Sequence, residues 1–403
     1  MSQLMTIVKA KAKLAALKLA MNVIPAPRPV VLLGAHSSQK LCETISHIGA
    51  KRVLLVTDAV LFKLGMLTPL VQRLNELGIQ TEVFSGVLPD PTLDVVEQGL
   101  AQLRATMCDA VLAVGGGSSM DAAKVIALAA GSQKTPQQLI GILKGRKPAL
   151  PLFVIPTTAG TGSEVTIGAV ISDGVTHQKN LVIDPKVVPL ATAIDPILMQ
   201  GMPAHITADT GIDVLTHALE AWMSDFANPE TDYYAGSAIR MVFEHLPTAY
   251  QNGKDLVARE AMGLAAHYAG LALNQAALGY VHGLAHQLGA YYHVPHGRAN
   301  AMVLPHVLAF NQKAAESRLA ALAKRVGLVT QISTDANAAA QLIERVKQLL
   351  AQLKIPQQLP QMQETDFTTM IEKAFAEVHG TYAVPRYMTE AQARQILNQI
   401  KNG

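Results

Sequence analysis

Two histidine-bearing segments contain the side chains of this chain that are best suited to chemistry. In the first, residues 210–222 (TGIDVLTHALEAW), Asp213 and His217 lie four residues apart in a pattern typical of a helix. Side chains at i and i+4 project from one face of a helix, so both can reach the same ion. The second segment, residues 279–297, carries His282, His286, His293 and His296. Carboxylate and imidazole groups from two separate segments predict a bound divalent metal.

The alternative is that these side chains are structural. A single Asp/His pair on a helix is common, and an isolated histidine on an apolar face is usually a satisfied core or surface group. Here both segments are strongly apolar around the polar side chains. Burying several imidazoles and a carboxylate without partners would cost about a few kcal/mol each. A metal removes that cost, so the two segments together favour a metal site.

A glycine-rich turn, GGGSSMDAAK at Gly115–Lys124, follows an apolar run at 110–114 and leads into a helical pattern. Glycines let the backbone approach a charged group closely. The N–H groups and positive dipole end of a helix start suit a pyrophosphate. Three glycines alone are weak evidence, and the turn lacks the G-x-G-x-x-G fingerprint of the usual dinucleotide fold. The strand–glycine–helix context nevertheless favours phosphate binding.

Two further polar positions follow apolar runs. Asp58 ends VLLVTD, where a carboxylate can accept hydrogen bonds from an adenosine ribose and would repel a 2′-phosphate, favouring NAD over NADP. Position alone supports a helix N-cap at Asp58 equally well. PTTAGTGSE at Pro156–Glu164 follows the run LFVI. Its hydroxyls and glycines would line the same carboxyl-terminal edge of the sheet, where open α/β sheets bind ligands.

The elements that must position these residues fall into two kinds. From about residue 29 to 195, short apolar runs alternate with helical patterns, which predicts a parallel sheet with helices on its faces. The predicted strands are Val30–Leu33, Arg52–Thr57, Thr81–Phe84, Ala110–Val114 and Leu152–Ile155, and the predicted helices are Ser38–Ile48, Leu67–Leu77, Asp94–Ala105 and Met120–Ala130. After Pro196, long Ala- and Leu-rich helical patterns predict an all-α region. Thr389 and Gln392 have the spacing of a capping box at the start of its last helix.

The predicted domains are a basic N-terminal helical extension (1–28), a dinucleotide-binding α/β domain (29–198) and an all-helical metal-binding domain (199–403). Residues 4–22 carry four lysines and no acid, and we expect a solvent-facing or subunit-packing amphipathic helix there. This segment lacks the Arg and Ser of a transit peptide. At 403 residues, the chain has room for two domains of ordinary size.

Composition excludes several classes of protein. The net charge is +3, with no basic stripe interleaved with aromatics, so nucleic acid is not an expected partner. No uncharged apolar run is long enough to read as a membrane span. The two cysteines, Cys42 and Cys108, argue against a disulfide framework and fit a reducing compartment, so a cytoplasmic protein is expected.

Five motifs in this order resemble the iron-containing (group III) alcohol dehydrogenase family, over roughly residues 29–400. They are GGGS-x-x-D-x-x-K at Gly115–Lys124, PTTAGTGSE at Pro156–Glu164, AIDP at Ala193–Pro196, T-x-x-D-x-x-x-H-x-x-E at Thr210–Glu220, and G-x-V-H-x-x-A-H-x-L-G…P-H-G at Gly279–Gly297. The resemblance implies an N-terminal α/β domain with a parallel sheet (Rossmann-like, dehydroquinate synthase-like) followed by an all-α C-terminal domain. It also implies a homodimer or a higher homo-oligomer.

Carried over by position, the resemblance implies four metal ligands: Asp213, His217, His282 and His296. His286 becomes a non-ligand imidazole beside the nicotinamide and the candidate catalytic residue that relays the hydroxyl proton. Reasoning from the residues alone could not choose between His282 and His286, which share one helical face. The predicted cofactor-binding residues are Asp58, Gly115, Gly116, Gly117, Ser118, Asp121, Thr157, Thr158, Thr161 and Lys179. Gly168 offers no side chain where the family often has a polar one, which leaves substrate preference open.

The sequence thus predicts a metal-dependent, NAD-linked alcohol dehydrogenase or aldehyde reductase, with Fe²⁺ as the working metal and Zn²⁺ or Ni²⁺ possible in purified protein. One alternative is a glycerol dehydrogenase-like polyol oxidoreductase that uses zinc. A second is a dehydroquinate synthase-like cyclase, which would need basic residues around the metal, where little beyond Lys179 and Arg298 is found. A third is a metal-binding structural or storage protein, which would have no use for the glycine turn or Asp58.

Overall fold

A computed structural model describes residues 3–21, 27–174 and 179–402. The chain divides into two compact units. The sheet unit comprises Pro25–Pro203 and Asn252–His267, and the helical unit comprises Met1–Ile24, Ala204–Gln251 and Tyr268–Gly403. The chain passes from the sheet unit to the helical unit after Pro203, a few residues beyond the boundary expected at 198. Nothing in the sequence pattern predicted that Asn252–His267 groups with the sheet.

The sheet unit contains nine strands among its described residues: β1 Val30–Leu33, β2 Arg52–Asp58, β3 Gln80–Val87, β4 Ala110–Gly115, β5 Gly141–Ile142, β6 Leu152–Pro156, β7 Gly168–Ser172, β8 Lys179–Ile183 and β9 Ala191–Ile194. Six of them form one sheet in the order β1-β9-β6-β4-β2-β3, and every neighbouring pair is parallel. The other three form a small sheet in the order β5-β8-β7, in which β7 and β8 are antiparallel.

Helices cover both faces of the large sheet. They are α2 Ser37–His47, α3 Ala59–Lys63, α4 Thr68–Glu76, α5 Leu93–Ala105 and α6 Gly117–Ser132. Alternate residues of each strand point to opposite faces. Leu54 and Val56 of β2 therefore enter one core cluster with α5 and α6, while Val53 and Leu55 enter another with α2 and α4. The fully buried run of β4 is what a parallel sheet with two covered faces requires.

After Pro203, the described residues form nine α-helices and no strand. They are α7 Ala204–Met223, α8 Pro229–Gln251, α9 Leu256–Ala276, α10 Tyr280–Tyr292, α11 His296–Asn311, α12 Glu316–Arg325, α13 Asp335–Gln352, α14 Glu364–Val378 and α15 Glu390–Asn402. The capping box before α15 is confirmed: Gln392 N donates to Thr389 Oγ1, and Thr389 N donates to Gln392 Oε1. The all-α prediction for this region is also confirmed.

The basic N-terminal segment forms helix α1, Gln3–Met21. Its lysines at positions 9, 11, 13 and 18 are exposed. Ala10 and Leu14 are buried, and Leu14 clusters with Phe226 and Ala383 of the helical unit. One face of α1 thus packs on its own chain, a contact that the expected solvent-facing or subunit-packing helix did not include.

All five predicted strands and all four predicted α/β-domain helices are present, with ends shifted by a few residues. The elements that the sequence pattern missed are short: α3, β5, β7, β8 and β9. Within the described part of the chain, no helix combines the length and the apolar character that crossing a bilayer requires. Cys42 and Cys108 are buried free thiols.

Candidate active site

Helix α7 holds Asp213 and His217 in the interior of the helical unit. It is buried along nearly its whole length because apolar side chains occupy most of its circumference. Gly211 allows a close approach of α8, since a Cβ there would lie 2.3 Å from Leu246 Cδ1. Asp213 and His217 are only 3% and 6% exposed. Such burial requires partners for both groups.

Three imidazoles provide those partners by surrounding one carboxylate oxygen. The Nε2 atoms of His217, His282 and His296 lie 3.7, 3.6 and 3.4 Å from Asp213 Oδ1. One ligand atom from each of these four residues lies within 4.8 Å of all the others. His282 comes from α10 and His296 from the first turn of α11. The structure therefore brings together the four residues expected to bind metal, from three separate helices.

The structure also separates the histidines that the sequence could not distinguish. His286 lies one turn after His282 on α10 but is not a member of the four-residue cluster. His293 is exposed and ends α10 in the left-handed conformation, with a φ of 54°. Of the histidines in the second segment, only His282 and His296 face Asp213.

Glu220, also on α7, fixes the orientation of His282. Its Oε2 lies 2.7 Å from His282 Nδ1 and accepts a hydrogen bond from Gly279 N, while Oε1 accepts from Val281 N. The ionised carboxylate only accepts hydrogen bonds, so Nδ1 carries the proton and Nε2 faces the cluster. A Cβ on Gly279 would lie 2.8 Å from Glu220 Oε1, so a larger residue here would displace the carboxylate from His282. Glu220 belongs to the motif at 210–220, but its position in the sequence did not predict this role.

Asn300 is a second residue that sequence reasoning missed. It lies one turn after His296 on α11 and is fully buried. Its Nδ2 donates to Asp213 Oδ1 over 2.8 Å and lies 3.2 and 3.3 Å from Nε2 of His282 and His296. The signal that could have identified it is the i+4 spacing from His296, the same spacing that separates Asp213 and His217.

The charges of the cluster suit a cation. Burial alone would raise the pKa of Asp213, but the imidazoles of His217 and His296 hold it well below its usual value. Burial lowers the pKa of His217 to about 3, so this imidazole is neutral. Burial disfavours a charged His282, yet Glu220 and Asp213 raise its pKa to about 9. The additional proton of a charged His282 lies on Nε2, and a divalent metal would bind the same lone pair in its place.

The donor set fits a first-row transition metal. Three imidazole nitrogens and one carboxylate oxygen are ligands that iron, zinc and nickel all accept. His217 Nδ1 is buried and has no hydrogen-bond partner among the described residues. These four residues can therefore hold a metal ion, and His296, with a side chain 33% exposed, is the one among them that is most open to solvent.

His286 has its own carboxylate. Its Nδ1 lies 2.8 Å from Glu377 Oε1 on α14, and the same oxygen accepts from Tyr382 OH over 2.9 Å. The ring of His286 stacks on that of His296, with centroids 5.3 Å apart. Burial and the neighbouring imidazoles lower the pKa of His286, and Glu377 opposes them. Sequence reasoning did not identify Glu377 or Tyr382.

In the sheet unit, the glycine-rich turn and the loop Pro156–Glu164 lie together. Gly116 is the N-cap of α6, and Gly117 is its first residue. A Cβ on Gly116 would lie 3.3 Å from Thr158 Oγ1, and one on Gly117 would lie 2.7 Å from Thr161 Cγ2. Thr157 is buried, and its N donates to Gly115 O. The two loops thus meet at the carboxyl-terminal ends of β4 and β6, as predicted.

Of the remaining expected cofactor residues, Asp121 and Lys179 have partners within the protein. Asp121 accepts from Ser163 Oγ at 2.6 Å and Val170 N at 2.8 Å, which ties α6 to the loop and to β7. Ser118, in the first turn of α6, is half-buried. Lys179, on β8, forms an ion pair with Asp90 at 3.2 Å. At Gly168, on β7, a Cβ would meet nothing within 4 Å.

Asp58 caps α3. Its Oδ1 accepts from Val60 N at 2.8 Å and Leu61 N at 3.0 Å. The helix-cap interpretation is therefore confirmed. The hydrogen bonds use one carboxylate oxygen, so they are compatible with a second contact through Oδ2.

Comparison with known proteins identifies the family of both halves. Residues 28–196 match the model described as iron-containing alcohol dehydrogenase, and residues 207–401 match the C-terminal model of the Fe-containing alcohol dehydrogenase family. The chain is 37% identical over 371 residues to the NAD-dependent methanol dehydrogenase of Bacillus methanolicus, covering 92% of this chain and 97% of that one. It is 39% identical to the 1,3-propanediol dehydrogenase of Klebsiella pneumoniae, covering 92% and 96%. A crystal structure of 1,3-propanediol oxidoreductase superposes with a TM-score of 0.90 and 38% identity, covering 94% of this chain and 99% of that one.

Proposed function

The chain belongs to the iron-containing alcohol dehydrogenase family, and from that premise we propose that it is an NAD-linked, metal-dependent alcohol dehydrogenase that interconverts an alcohol and its aldehyde. The observation that carries this proposal is the convergence of Asp213 and three imidazoles in the helical unit. The relatives named for NAD-dependent methanol oxidation and for 1,3-propanediol oxidation support the reaction class.

The metal ligands in this proposal are Asp213, His217, His282 and His296. A bound Fe²⁺ would supply Lewis-acid polarisation of the substrate hydroxyl, and a bound NAD would supply the acceptor for the hydride. Asp213 supplies the negative charge that a divalent cation needs, and neutral His217 supplies a lone pair. Asn300 holds Asp213 Oδ1, and Glu220 keeps Nε2 of His282 turned toward the cluster. The family favours iron over the zinc of the polyol dehydrogenase alternative.

His286 is the proposed proton acceptor. Its Nδ1 hydrogen bond to Glu377 leaves Nε2 as the nitrogen that can take the hydroxyl proton, directly or through water. We expect His286→Gln to lower kcat about a hundredfold, the lower part of the usual range for general acid–base catalysis, while metal content stays the same. Metal analysis beside steady-state kinetics checks this. Loss of metal from the variant would show that His286 is a ligand.

The sheet unit supplies the proposed cofactor site. The free N–H groups at the start of α6, with Gly115, Gly116, Gly117 and Ser118, would hold the pyrophosphate. The hydroxyls of Thr157, Thr158 and Thr161 line the facing loop. Asp58 would bind the adenosine ribose while capping α3. Asp121 would contribute to this site indirectly, by fixing the loop through Ser163. Lys179 is also proposed to contact the cofactor, on the basis of its position in the sequence.

A spectrophotometric assay tests the function directly. Protein loaded anaerobically with Fe²⁺ is mixed with NAD and a panel of primary alcohols, diols and glycerol, and absorbance of reduced nicotinamide is followed. We expect turnover of primary alcohols or diols, and lower activity after zinc loading. Higher activity with zinc and glycerol would favour the polyol dehydrogenase. No reduction of NAD with any alcohol would leave the cyclase or the storage protein.

We also propose a homodimer or larger homo-oligomer working in the cytoplasm. The two buried free cysteines fit a reducing compartment. Light scattering of the purified holoenzyme measures the oligomeric state, and a monomer at micromolar concentration would contradict that part of the proposal.

A further inference from the structure

Two histidines of α10 are each held at Nδ1 by a buried or half-buried glutamate from another helix. His282 is paired with Glu220 of α7, and His286 is paired with Glu377 of α14. The two distances are 2.7 and 2.8 Å. Glu220 serves a residue of the metal cluster. Glu377 serves a residue outside it, so metal binding does not explain the second pair.

The surroundings of Glu377 show that its orientation is fixed. Its Oε1 accepts from both His286 Nδ1 and Tyr382 OH. Tyr382 is buried, and the side chains of His286 and Glu377 are 23% and 24% exposed. A carboxylate held by a buried hydroxyl from one side has little freedom to turn away from the imidazole on the other.

We propose that Glu377 is a positioning residue for the reaction: it holds His286 in the Nδ1–H tautomer and presents Nε2 as the acceptor of the substrate proton. The proposal rests on the proposed alcohol dehydrogenase function. An ionised carboxylate accepts hydrogen bonds and donates none, so Nδ1 of His286 must carry the proton. In the neutral ring, Nε2 then has the free lone pair. Glu377 itself need not touch the substrate.

Kinetics of five variants, including His286→Gln alone, test the role. Because the amide of Gln donates as well as accepts, Glu377→Gln no longer forces one tautomer. We expect it to lower kcat roughly 10- to 100-fold, the range known for carboxylates that orient metal-ligating histidines through the same kind of hydrogen bond. In a His286→Gln background, the same change should have almost no further effect. Glu377→Asp keeps the carboxylate and should recover part of the rate. Glu372→Gln makes the same change at an exposed position of α14 and is the matched control.

The double-variant cycle distinguishes positioning from a structural role. Equal fold losses from Glu377→Gln in the presence and absence of His286 would overturn the proposal, since a structural effect does not need the imidazole. Metal content is measured for each variant, because a loss of metal in Glu377→Gln would equally overturn it.

A readout that does not depend on turnover separates this proposal from the proposed function. Zinc-loaded protein with ¹⁵N-labelled histidine gives imidazole nitrogen shifts by NMR, and the His286 signals are assigned by their loss in His286→Gln. We expect Nδ1–H in the native protein and a mixture of tautomers in Glu377→Gln. A native Nε2–H tautomer would overturn the role of Glu377. The expected tautomer in a protein that oxidises no alcohol would instead reject the proposed function.

Discussion

His282 and His286 lie one turn apart on α10, yet only His282 joins the cluster around Asp213. Both rings have a glutamate at Nδ1, so both direct Nε2 away from that glutamate. What differs is the position of each ring relative to Asp213 on α7. The role of each histidine therefore depends on tertiary packing of α10, and the identical residue type and helical face in the sequence carry no information about it.

Glu220 should control metal affinity. Glu220→Gln keeps the size of the side chain, but its amide can donate to His282 Nδ1. The proton of the imidazole would then lie on Nε2, and the free lone pair would no longer face the cluster. We expect metal affinity to fall roughly 10- to 100-fold. Competition with a chelator, followed by metal analysis, measures the change. Unchanged affinity would mean that packing alone orients His282.

Asp58 can be tested for its two roles separately. Asn is as good an N-cap as Asp, so Asp58→Asn should preserve α3 while removing the negative charge. A 2′-phosphate a few ångströms from Asp58 would cost on the order of 2–3 kcal/mol. Removing the charge should therefore raise kcat/KM with NADP, relative to NAD, by up to roughly a hundredfold. If the ratio stays constant, Asp58 is only a helix cap.

Residue types and spacing were enough to predict the cluster of Asp213 with its three imidazoles, once the resemblance had chosen among the histidines. They did not predict Glu220, Asn300 or Glu377. Glu377 is nearly a hundred residues from His286, so no local spacing relates the two. Asn300 and Glu220 do lie on the same helices as metal-cluster residues, but an amide or a carboxylate at such a position usually faces solvent.

At the level of elements, the metal cluster depends on how closely α11 can approach α7. A Cβ on Gly297 would lie 2.1 Å from Asp209 O and 2.6 Å from Asp209 C. Asp209 is one turn before Asp213, and Gly297 directly follows His296. Any side chain at 297 must therefore separate the two helices that carry Asp213 and His296, because backbone atoms cannot rotate out of the way.

Gly297→Ala should lower both stability and metal content. Inserting one methyl group into this contact is expected to cost about 1–3 kcal/mol. Gly289→Ala on α10 is the control, since its Cβ would meet only Val294 O, at 3.5 Å. Denaturant unfolding and metal analysis of both variants provide the measurement. Equal behaviour of the two alanine variants would show that α7 and α11 can move apart without harm.

The elements that were predicted from sequence are those with long periodic patterns. β4 and β6 are apolar over their whole length, and β2 is apolar through its centre. The alternation of such runs with helical patterns therefore identified the strands and the helices between them. α3 has five residues and β5 has two, which is too short for a period to be seen. The antiparallel pair β7 and β8 forms outside the main sheet, where neighbouring elements rather than β-propensity decide the pairing.

For the whole molecule, the two proposed cofactors belong to different compact units. The four metal-cluster residues are all in the helical unit, while the glycine-rich turn and the loop at 156–164 are in the sheet unit. Ligand binding to the native state at a hundred times Kd stabilises it by about 2.7 kcal/mol. Each cofactor should therefore protect a different part of the chain from local opening.

Hydrogen exchange measures this division. Adding metal to protein produced without it should slow exchange in α7, α10 and α11, and NAD should slow exchange at 115–124 and 156–164. Metal protection confined to the sheet unit would contradict the proposed ligands. Protection of neither loop by NAD would contradict the proposed cofactor site.

Asp213, His217 and His282 are almost completely buried, at 3%, 6% and 1% exposure, and this burial should slow the release of a bound ion. Of the four, only His296 can turn toward water without opening the core, so an ion held by all four cannot leave by releasing one ligand after another. Exchange would require α7 or α10 to open, and openings of buried helices approach the full free energy of unfolding. The ion is then released only during such openings, so equilibration with a chelator should be far slower than at a site of exposed ligands. Protein made in iron-rich medium and protein made in zinc-rich medium should therefore still contain different metals after purification.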